Sequence, residues 1–468
     1  LEEAVQWAVG RNLGIALERE QVPAAAAEAE AAAAAFDTRL SGEAAFDHTE
    51  TPTASQLFGT TQETLSLDLA LARRFAWGTE ARLGLRASRR RDNFPFSILT
   101  PRFDAGLELE LTQPLLRGAG PTANLAPVWL ARVASEAERL RLRAAMERVV
   151  METETAYWRL VEAQAQVEVA QASLRHAQAL DRDLAERVAA GALPPFERLG
   201  AQAEVALRRE GVAVARQGLE DARDRLLEAA GIAGGDLATW SLRPEPAPLP
   251  PANPEPVDEA RAVAYALDHR TDLAIARLAR RRRAIEAARA DRDRLPELTL
   301  SGRAGVGALT GDREIQDLLD QLGRRDFLSY RVGLRFAYPL GNRAGRARAE
   351  AAHHRHRAAD LDLARLRVAA VAAVRAAVRA VGTAAERVRA TGEAVAASRA
   401  RLDAWQERFH AGSATPRQVV EAQRDLAEAR GREVAARTAY LLAVARLWDE
   451  EGRLLERHHL AVRVAPGR

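Results

Sequence analysis

The six residues Glu186-Arg187-Val188-Ala189-Ala190-Gly191 are echoed by Glu407-Arg408-Phe409-His410-Ala411-Gly412, an offset of 407 − 186 = 221. The same offset carries Pro195 onto Pro416, Leu199 onto Val420, Ala201-Gln202 onto Ala422-Gln423 and Val205 onto Leu426. Upstream it carries Leu160, Val167 and Leu174, each seven apart, onto Val381, Val388 and Val395. A seven-residue apolar spacing kept in register by a second copy is the seam of a coiled-coil-like helix. Gly191 and Gly412 stand where a left-handed cap ends a helix, and Pro195 and Pro416 where a first-turn proline is tolerated. Each long helix is therefore expected to end in a tight turn and to double back as an antiparallel hairpin.

Working outward, Pro114-Leu115 and Gly120 match Pro339-Leu340 and Gly345 at an offset of 225, and Leu40-Ser41-Gly42 matches Leu300-Ser301-Gly302. The step from 225 to 221 is four residues, about one helical turn. Leu1-Glu2-Glu3-Ala4 likewise resembles Val257-Asp258-Glu259-Ala260. The chain thus reads as two tandem copies. The first, residues 1–230, comprises a helix over 1–35, strands within 36–113, a long helix over 127–190 and a return helix over 195–231. Next comes a linker over 231–256, with seven prolines after Arg243 that cannot continue a helix. The second copy, 257–455, comprises a helix over 257–294, strands within 297–339, a long helix over 346–411 and a return helix over 416–451, with a tail over 456–468. At 1.5 Å per residue each long helix spans roughly 95 Å, which a compact globular domain does not use.

The strands show period-two alternation. Leu65, Leu67, Leu69 and Leu71 alternate with Ser66, Asp68, Ala70 and Ala72; Leu107, Leu109 and Leu111 alternate with Glu108, Glu110 and Thr112. Val332, Leu334, Phe336 and Tyr338 do the same with Gly333, Arg335 and Ala337. About ten residues with one apolar and one polar face suit a barrel strand between lipid and lumen, although alternation alone favours a half-buried soluble sheet. Context favours the barrel, because little other apolar sequence is left to cover such a sheet. Phe75-Ala76-Trp77-Gly78 is expected to turn an additional hairpin between Gln62 and Arg91, present in the first copy alone.

Composition narrows the function. The 468 residues carry 68 basic and 65 acidic side chains, a balance of +3, with no cysteine and no lysine. That excludes disulfide scaffolds, thiolate metal sites and cysteine nucleophiles, and a generic polyanion binder. The first residues show no basic-then-apolar signal segment, so the expectation is either a mature terminus near Leu1 or a protein that never crossed a membrane. No stretch reaches the roughly 20 apolar residues of a membrane-spanning helix without interruption by Arg or Glu. Trp77 and Trp129 are expected near a membrane rim as interfacial aromatics.

At this point the chain resembles the TolC-like outer membrane efflux protein family. The resemblance rests on the order of elements, on Gln113-Pro114-Leu115 and Tyr338-Pro339-Leu340 at the strand-to-helix junctions, and on a pattern after each tip. That pattern reads Gly191, Glu197, Leu199, Ala201, Gln202 and again Gly412, Gln418, Val420, Ala422, Gln423. It implies an α+β membrane protein of a Gram-negative outer membrane: a homotrimer sharing one transmembrane antiparallel β-barrel in outer membrane lipid, with long helical hairpins forming a periplasmic α-barrel. It implies a passive exit duct of a tripartite efflux or type I secretion system. The tips would dock a periplasmic adaptor (membrane fusion) protein, and through it an inner-membrane transporter. By position the docking tips are Gly191, Ala192, Leu193 and Pro195, with Gly412, Ser413, Ala414 and Pro416.

The resemblance also implies a gate at this end. The positions matching its acidic ring are Gln418 and Glu421, so an amide replaces one carboxylate, and three copies of Glu421 would favour cations. Glu197 matches an acidic latch residue whose expected tyrosine and arginine partners are Phe409 and Ala414. A weaker or differently made closed gate is expected. If the additional hairpin joins the barrel, each protomer supplies six strands (4 + 2) and the trimer eighteen, against the family's usual four per protomer.

Other features compete with bland readings. His353, His356 and Asp360 share a helix face and could bind zinc in principle, but an exposed polar helix face is the favoured reading and no metal site is expected. Gly305, Gly307 and Gly311 leave a strand without opening a helix, unlike a phosphate loop. Arg281-Arg282-Arg283 suits a solvated helix face, while Arg89-Arg90-Arg91 at a strand end has lipopolysaccharide or loop acids within reach. No catalytic constellation is present, so the expectation is a protein that is no enzyme and takes no cofactor. The alternatives are a soluble coiled-coil scaffold with a basic nucleic-acid-binding face, or the adaptor itself. The duct reading implies no nucleic acid, and an adaptor has one hairpin per chain.

Overall fold

The computed structural model describes residues 1–52, 59–231, 257–311 and 315–461. Of the expected linker only Gly231 falls among them, and of the tail residues 462–468 fall outside. In chain order the elements are helices α1 (Glu2–Arg11) and α2 (Leu13–Ala33), strands β1 (Arg39–Glu50), β2 (Thr61–Arg74), β3 (Glu80–Asp92) and β4 (Arg102–Pro114), then helices α3 (Pro121–Asn124), α4 (Ala126–Ala189) and α5 (Phe196–Ala229). The second half has α6 (Glu259–His269), α7 (Thr271–Asp293), β5 (Glu297–Thr310), α8 (Ile315–Arg324), β6 (Phe327–Ala337), α9 (Arg343–His410), α10 (Pro416–Glu451) and α11 (Leu454–Arg457).

Where the sequence predicts one helix over 1–35 and one over 257–294, the structure has two in each place. Asn12 is extended (φ −62°, ψ 122°), and its side-chain oxygen accepts hydrogen bonds from the backbone N–H of Gly14 (2.8 Å) and Ile15 (3.3 Å), so it caps α2. Arg270 is extended in the same way (φ −60°, ψ 128°) and its guanidinium binds Asp272 and Glu450. Apolar periodicity runs through both breaks unchanged. A side-chain cap in one copy and a tertiary attachment in the other stop the helices, and neither disturbs the spacing.

All six strands form one antiparallel sheet in the order β1-β2-β3-β4-β5-β6. The register aligns one apolar face across all of them. Leu67 lies between Ala44 and Ala87, and Leu69 between Gly42 and Leu85. Leu85 pairs with Leu107, Leu107 with Val306 and Val306 with Leu328. Phe46, Leu65, Leu67, Leu69, Leu71, Leu83, Leu85, Leu107, Leu109, Leu111, Leu300, Val332, Leu334 and Phe336 on this face are all 39% exposed or more. No part of the described chain covers them, whereas a soluble sheet would bury such a face.

The opposite face is polar and internally paired. Arg86 donates to Asp68 (2.7 Å), and Arg303 lies 3.3 Å from both Glu108 and Glu110. The additional hairpin β2–β3 sits inside the sheet, between β1 and β4, so six strands per chain is the observed number among the described residues. Its turn closes with Phe75 N–H to Thr79 O and Gly78 N–H to Phe75 O, both 2.8 Å. Gly78 is obligatory there: φ is +99°, and a Cβ would lie 2.5 Å from the Gly118 carbonyl oxygen. Gly305 and Gly307 lie within β5, which leaves no phosphate loop.

Two compact units emerge, and they cut across the tandem copies. Of the described residues, those within 1–23, 137–277 and 362–461 form one; those within 24–136 and 278–361 form the other, which contains the sheet. The first unit holds apolar clusters such as Val5, Ile15, Val22, Leu142 and Val150 with Leu454, and Ala262 and Ala266 with Val374. One helix, α9, contains an 18-residue window long and apolar enough to cross a membrane by length and composition. Arginines such as Arg375 and Arg379 still interrupt the apolar runs of this helix, as the sequence reading has it. Some alanines and valines of α9 pack against α6 and α10: Val374 meets Ala262 and Ala266, and Ala377, Val381 and Ala384 meet Tyr440 and Leu447.

Candidate functional site

Both hairpin tips are built by the same backbone chemistry. At the first, Ala192 N–H donates to Arg187 O (2.8 Å) and Gly191 N–H to Val188 O (3.0 Å); at the second, Ser413 N–H donates to Arg408 O (2.9 Å) and Gly412 N–H to Phe409 O (3.1 Å). Gly191 (φ +73°) and Gly412 (φ +76°) occupy the left-handed position that satisfies the last helical carbonyls. Ala192, Pro195 and Ser413 are exposed, while Leu193 and Ala414 pack partly against the tip core.

That core joins the two hairpins. Leu180 and Leu184 of α4 and Ala201 of α5 meet Leu402 and Phe409 of α9 and Val419, Ala422 and Leu426 of α10. Phe409 is 4% exposed, so it serves as a packing residue under the tip rather than a group facing solvent. Over its ring lies the guanidinium of Arg187, 4.4 Å from the centroid. The same guanidinium donates to Phe409 O (3.3 Å), contacts His410 Nδ1 (3.2 Å) and pairs with Asp183 (3.1 Å). Arg187 is the residue that sequence reasoning missed. Its signal was present, because it belongs to the repeated hexapeptide that locates the tips. Its partners in the other hairpin were not readable from that repeat.

The residues matched to the gate take local partners. The side-chain oxygen of Gln418 accepts from Thr415 N–H (2.8 Å), and with the Thr415 hydroxyl it forms a capping box at the start of α10. An amide suits that position as well as a carboxylate does. Glu421 pairs one turn away with Arg417 (3.3 Å), which offsets its charge. Glu197 is half-buried at the start of α5, and its side chain makes no ion pair or hydrogen bond among the described residues. Behind the tips, Arg424 of α10 reaches the buried Glu204 of α5 (3.4 Å) and Arg198 of α5 reaches Asp181 of α4 (3.0 Å).

The histidine set does not converge. His353 turns to Asp291 on α7 (3.1 Å), Asp360 pairs with Arg280, and His356 Nδ1 stays 3.9 Å from Asp360. Among the described residues no group of three or more His, Cys, Asp or Glu could hold a metal. In the first unit, a groove of about 1680 Å³ runs between α4, α9 and α10, floored by alanines such as Ala376, Ala380 and Ala443. At its edge Asp449 is pushed up to about 6 by burial and by the nearby carboxylates of Glu450 and Glu147. Arg270 is raised in turn, since hydrogen bonds to Asp272 and Glu450 outweigh the burial that opposes its charge.

Trp77 is 54% exposed in the β2–β3 turn and stacks on Phe75 at 5.2 Å. Gly120 N–H donates to its carbonyl (2.9 Å), which ties the turn to the strand-to-helix junction.

The model of the outer membrane efflux protein family matches residues 263–449, most of the second copy. Among curated proteins no sequence matches the chain. Among solved structures, the outer membrane protein VceC from Vibrio cholerae aligns with a TM-score of 0.69 at 19% identity, covering 96% of this chain and 95% of that one. The MtrE outer membrane channel of Neisseria gonorrhoeae, in its open state, aligns with 0.68 at 16% identity, covering 97% and 89%. The CmeC outer membrane channel of Campylobacter jejuni aligns with 0.66 at 15% identity, covering 97% and 85%. The resemblance stated from the sequence therefore holds, in sequence over the second copy and in fold over nearly the whole chain.

Proposed function

We infer that this chain is a TolC-like outer membrane efflux channel and works as a homotrimeric exit duct. The observation that carries the trimer is the sheet. It has a continuous exposed apolar face, a polar face, and two edges, β1 and β6, each paired on one side only among the described residues. In lipid an open edge leaves backbone groups unsatisfied, so the edges must meet those of other copies. Three copies give 3 × 6 = 18 strands, enough for a water-filled bore where one copy's six are too few. The helical hairpins would extend into the periplasm as an α-barrel, with substrate delivered by an inner-membrane transporter through an adaptor docked at residues 189–197 and 410–418. The chain supplies bore, charge and gate, and no chemistry of its own.

At the gate, the support lies in the hairpin-to-hairpin contacts. Arg187 holds the second tip to the first through Phe409 and His410, the role the resemblance gives to a tyrosine and an arginine. The Glu421 ring contributes little net charge while Arg417 pairs with it. Single-channel recording in planar bilayers tests both parts. Wild-type channels are expected to dwell in a low-conductance state that Arg187→Ala opens. A low-conductance channel that is opened by Glu197→Ala and unaffected by Arg187→Ala refutes this latch. A detergent-free soluble monomer refutes the duct.

A further inference from the structure

A pocket of about 330 Å³ lies between α7 and α9 in the unit that contains the sheet. Gly345 and Ala352 of α9 and Ala290 of α7 leave the space, and Leu130 of α4 walls it. Four arginines line it: Arg117, just beyond β4, Arg289 of α7, and Arg348 and Arg355, seven residues and two turns apart on α9. The side chains of Arg117, Arg348 and Arg355 have no ion pair among the described residues.

Two carboxylates also line the pocket, and both are engaged. Glu286 is held from outside by Arg282 (3.1 Å) and Arg283 (2.8 Å), and Asp293 lies 3.7 Å from Arg289. The pocket is therefore a net cationic cup with unused guanidinium donors. Such a cup suits a phosphate, which guanidinium groups can grip bidentately.

The surroundings choose among phosphates. Arg117 comes directly after Leu115 and Leu116, which remain 43% and 36% exposed where the apolar sheet face ends. Tyr338 and Leu340, 42% and 98% exposed, precede α9 on the other side of the junction. Large exposed apolar side chains next to unpaired arginines are the pairing found where acyl chains meet headgroups. A soluble phosphate ester would gain nothing from that apolar rim.

We propose that this pocket binds the phosphate of a glycerophospholipid headgroup, with the acyl chains lying on the exposed leucines at the end of the sheet. A lipid so held would brace α7 and α9 against the membrane-facing strands of the same unit. The proposal rests on the reading of the apolar sheet face as lipid-facing, and failure of that reading would show separately, as extraction without detergent.

Native mass spectrometry of the full channel in non-ionic detergent is the test, with phosphatidylglycerol, diacylglycerol and inorganic phosphate as probes. Phosphatidylglycerol should be retained and diacylglycerol should not. The double variant Arg348→Gln/Arg355→Gln should weaken retention by about tenfold or more, since two charge-assisted contacts are lost. Arg357→Gln, which removes an exposed arginine outside the pocket, should leave retention unchanged, and unaltered migration of the assembled channel on a gel shows that each variant is folded. Equal retention by wild type and double variant overturns the proposal. So does displacement of phosphatidylglycerol by millimolar inorganic phosphate, which would make the pocket a site for free anions.

Discussion

The two hairpin tips share a turn and differ in how the return helix begins. Both use a left-handed glycine and the same pair of closing hydrogen bonds. The first return helix then starts at Pro195 with no side-chain cap, while the second starts at Thr415 with a reciprocal capping box through Gln418. Val188 of the first tip corresponds to Phe409 of the second (188 + 221 = 409), and only Phe409 is buried beneath an arginine from the other hairpin. Backbone requirements held both copies to one turn. The side chains could diverge, so one hairpin became the element held and the other the element that holds it.

The most damaging way to probe this asymmetry is to empty the held position. Phe409→Ala should cost about 3–5 kcal/mol of local stability, as large-to-small core changes do, and Val188→Ala about 1 kcal/mol. Hydrogen exchange of the tip amides measures both, and equal costs would remove the asymmetry.

The far ends of the return helices offer a second contrast, between Asp449 and its counterpart Glu228 (228 + 221 = 449), which is exposed. Asp449 has a folded-state value of about 6 against an ordinary 3.8, because of burial first and of Glu450 and Glu147 next. The folded chain therefore holds this proton more tightly than the unfolded one. The group adds stability as pH falls through 6, and that contribution is lost above 6. Asp449→Asn should thus stabilise the protein near pH 7.5 by on the order of 2 kcal/mol, with the gain vanishing near pH 4. Glu228→Gln, an exposed surface change, should stay within about 0.5 kcal/mol of wild type in thermal melts. Identical profiles for the two variants would break the contrast.

A smaller effect is expected from the caps. Thr415→Ala should cost about 1 kcal/mol, whereas Pro195→Ala, which removes no cap, should stay within about 0.5 kcal/mol. Proteolytic nicking rates at the two tips would register the difference. The smallest effect belongs to Glu421→Gln. With Arg417 beside it, the pair is worth a few tenths of a kcal/mol, and the cation-to-anion permeability ratio should shift by less than about twofold. A larger shift would mean that the acidic ring is unscreened.

Much of the molecule was legible in advance, for reasons that attach to particular residues. The strand alternation at Leu65–Leu71 and Leu107–Leu111 fixes which side chains share a face, and the glycines and prolines at 191, 195, 412 and 416 mark the tips. The helix breaks at Asn12 and Arg270 were not legible, because capping and ion pairing leave apolar spacing intact. Gln418 matches a gate residue by position, but its side chain is taken by Thr415 three residues away, a choice that turn geometry makes. The histidine set failed because His353 and Asp360 found stronger partners, Asp291 and Arg280, on a neighbouring helix. Arg187 lay in plain view within the repeat, yet its role depends on Phe409 and His410, 222 and 223 residues away.

By itself the sequence determined the tandem copies, the paired hairpins, the alternating strands and the family resemblance. Those arise from local periodicity and backbone limits, which act within a few residues. Only the tertiary structure decided that the additional hairpin inserts between β1 and β4, that the apolar positions of six strands align into one uncovered face, and that Arg187 closes over Phe409. Strand order, sheet register and the partner of a long charged side chain depend on groups far apart in the chain, and spacing along one segment does not encode them.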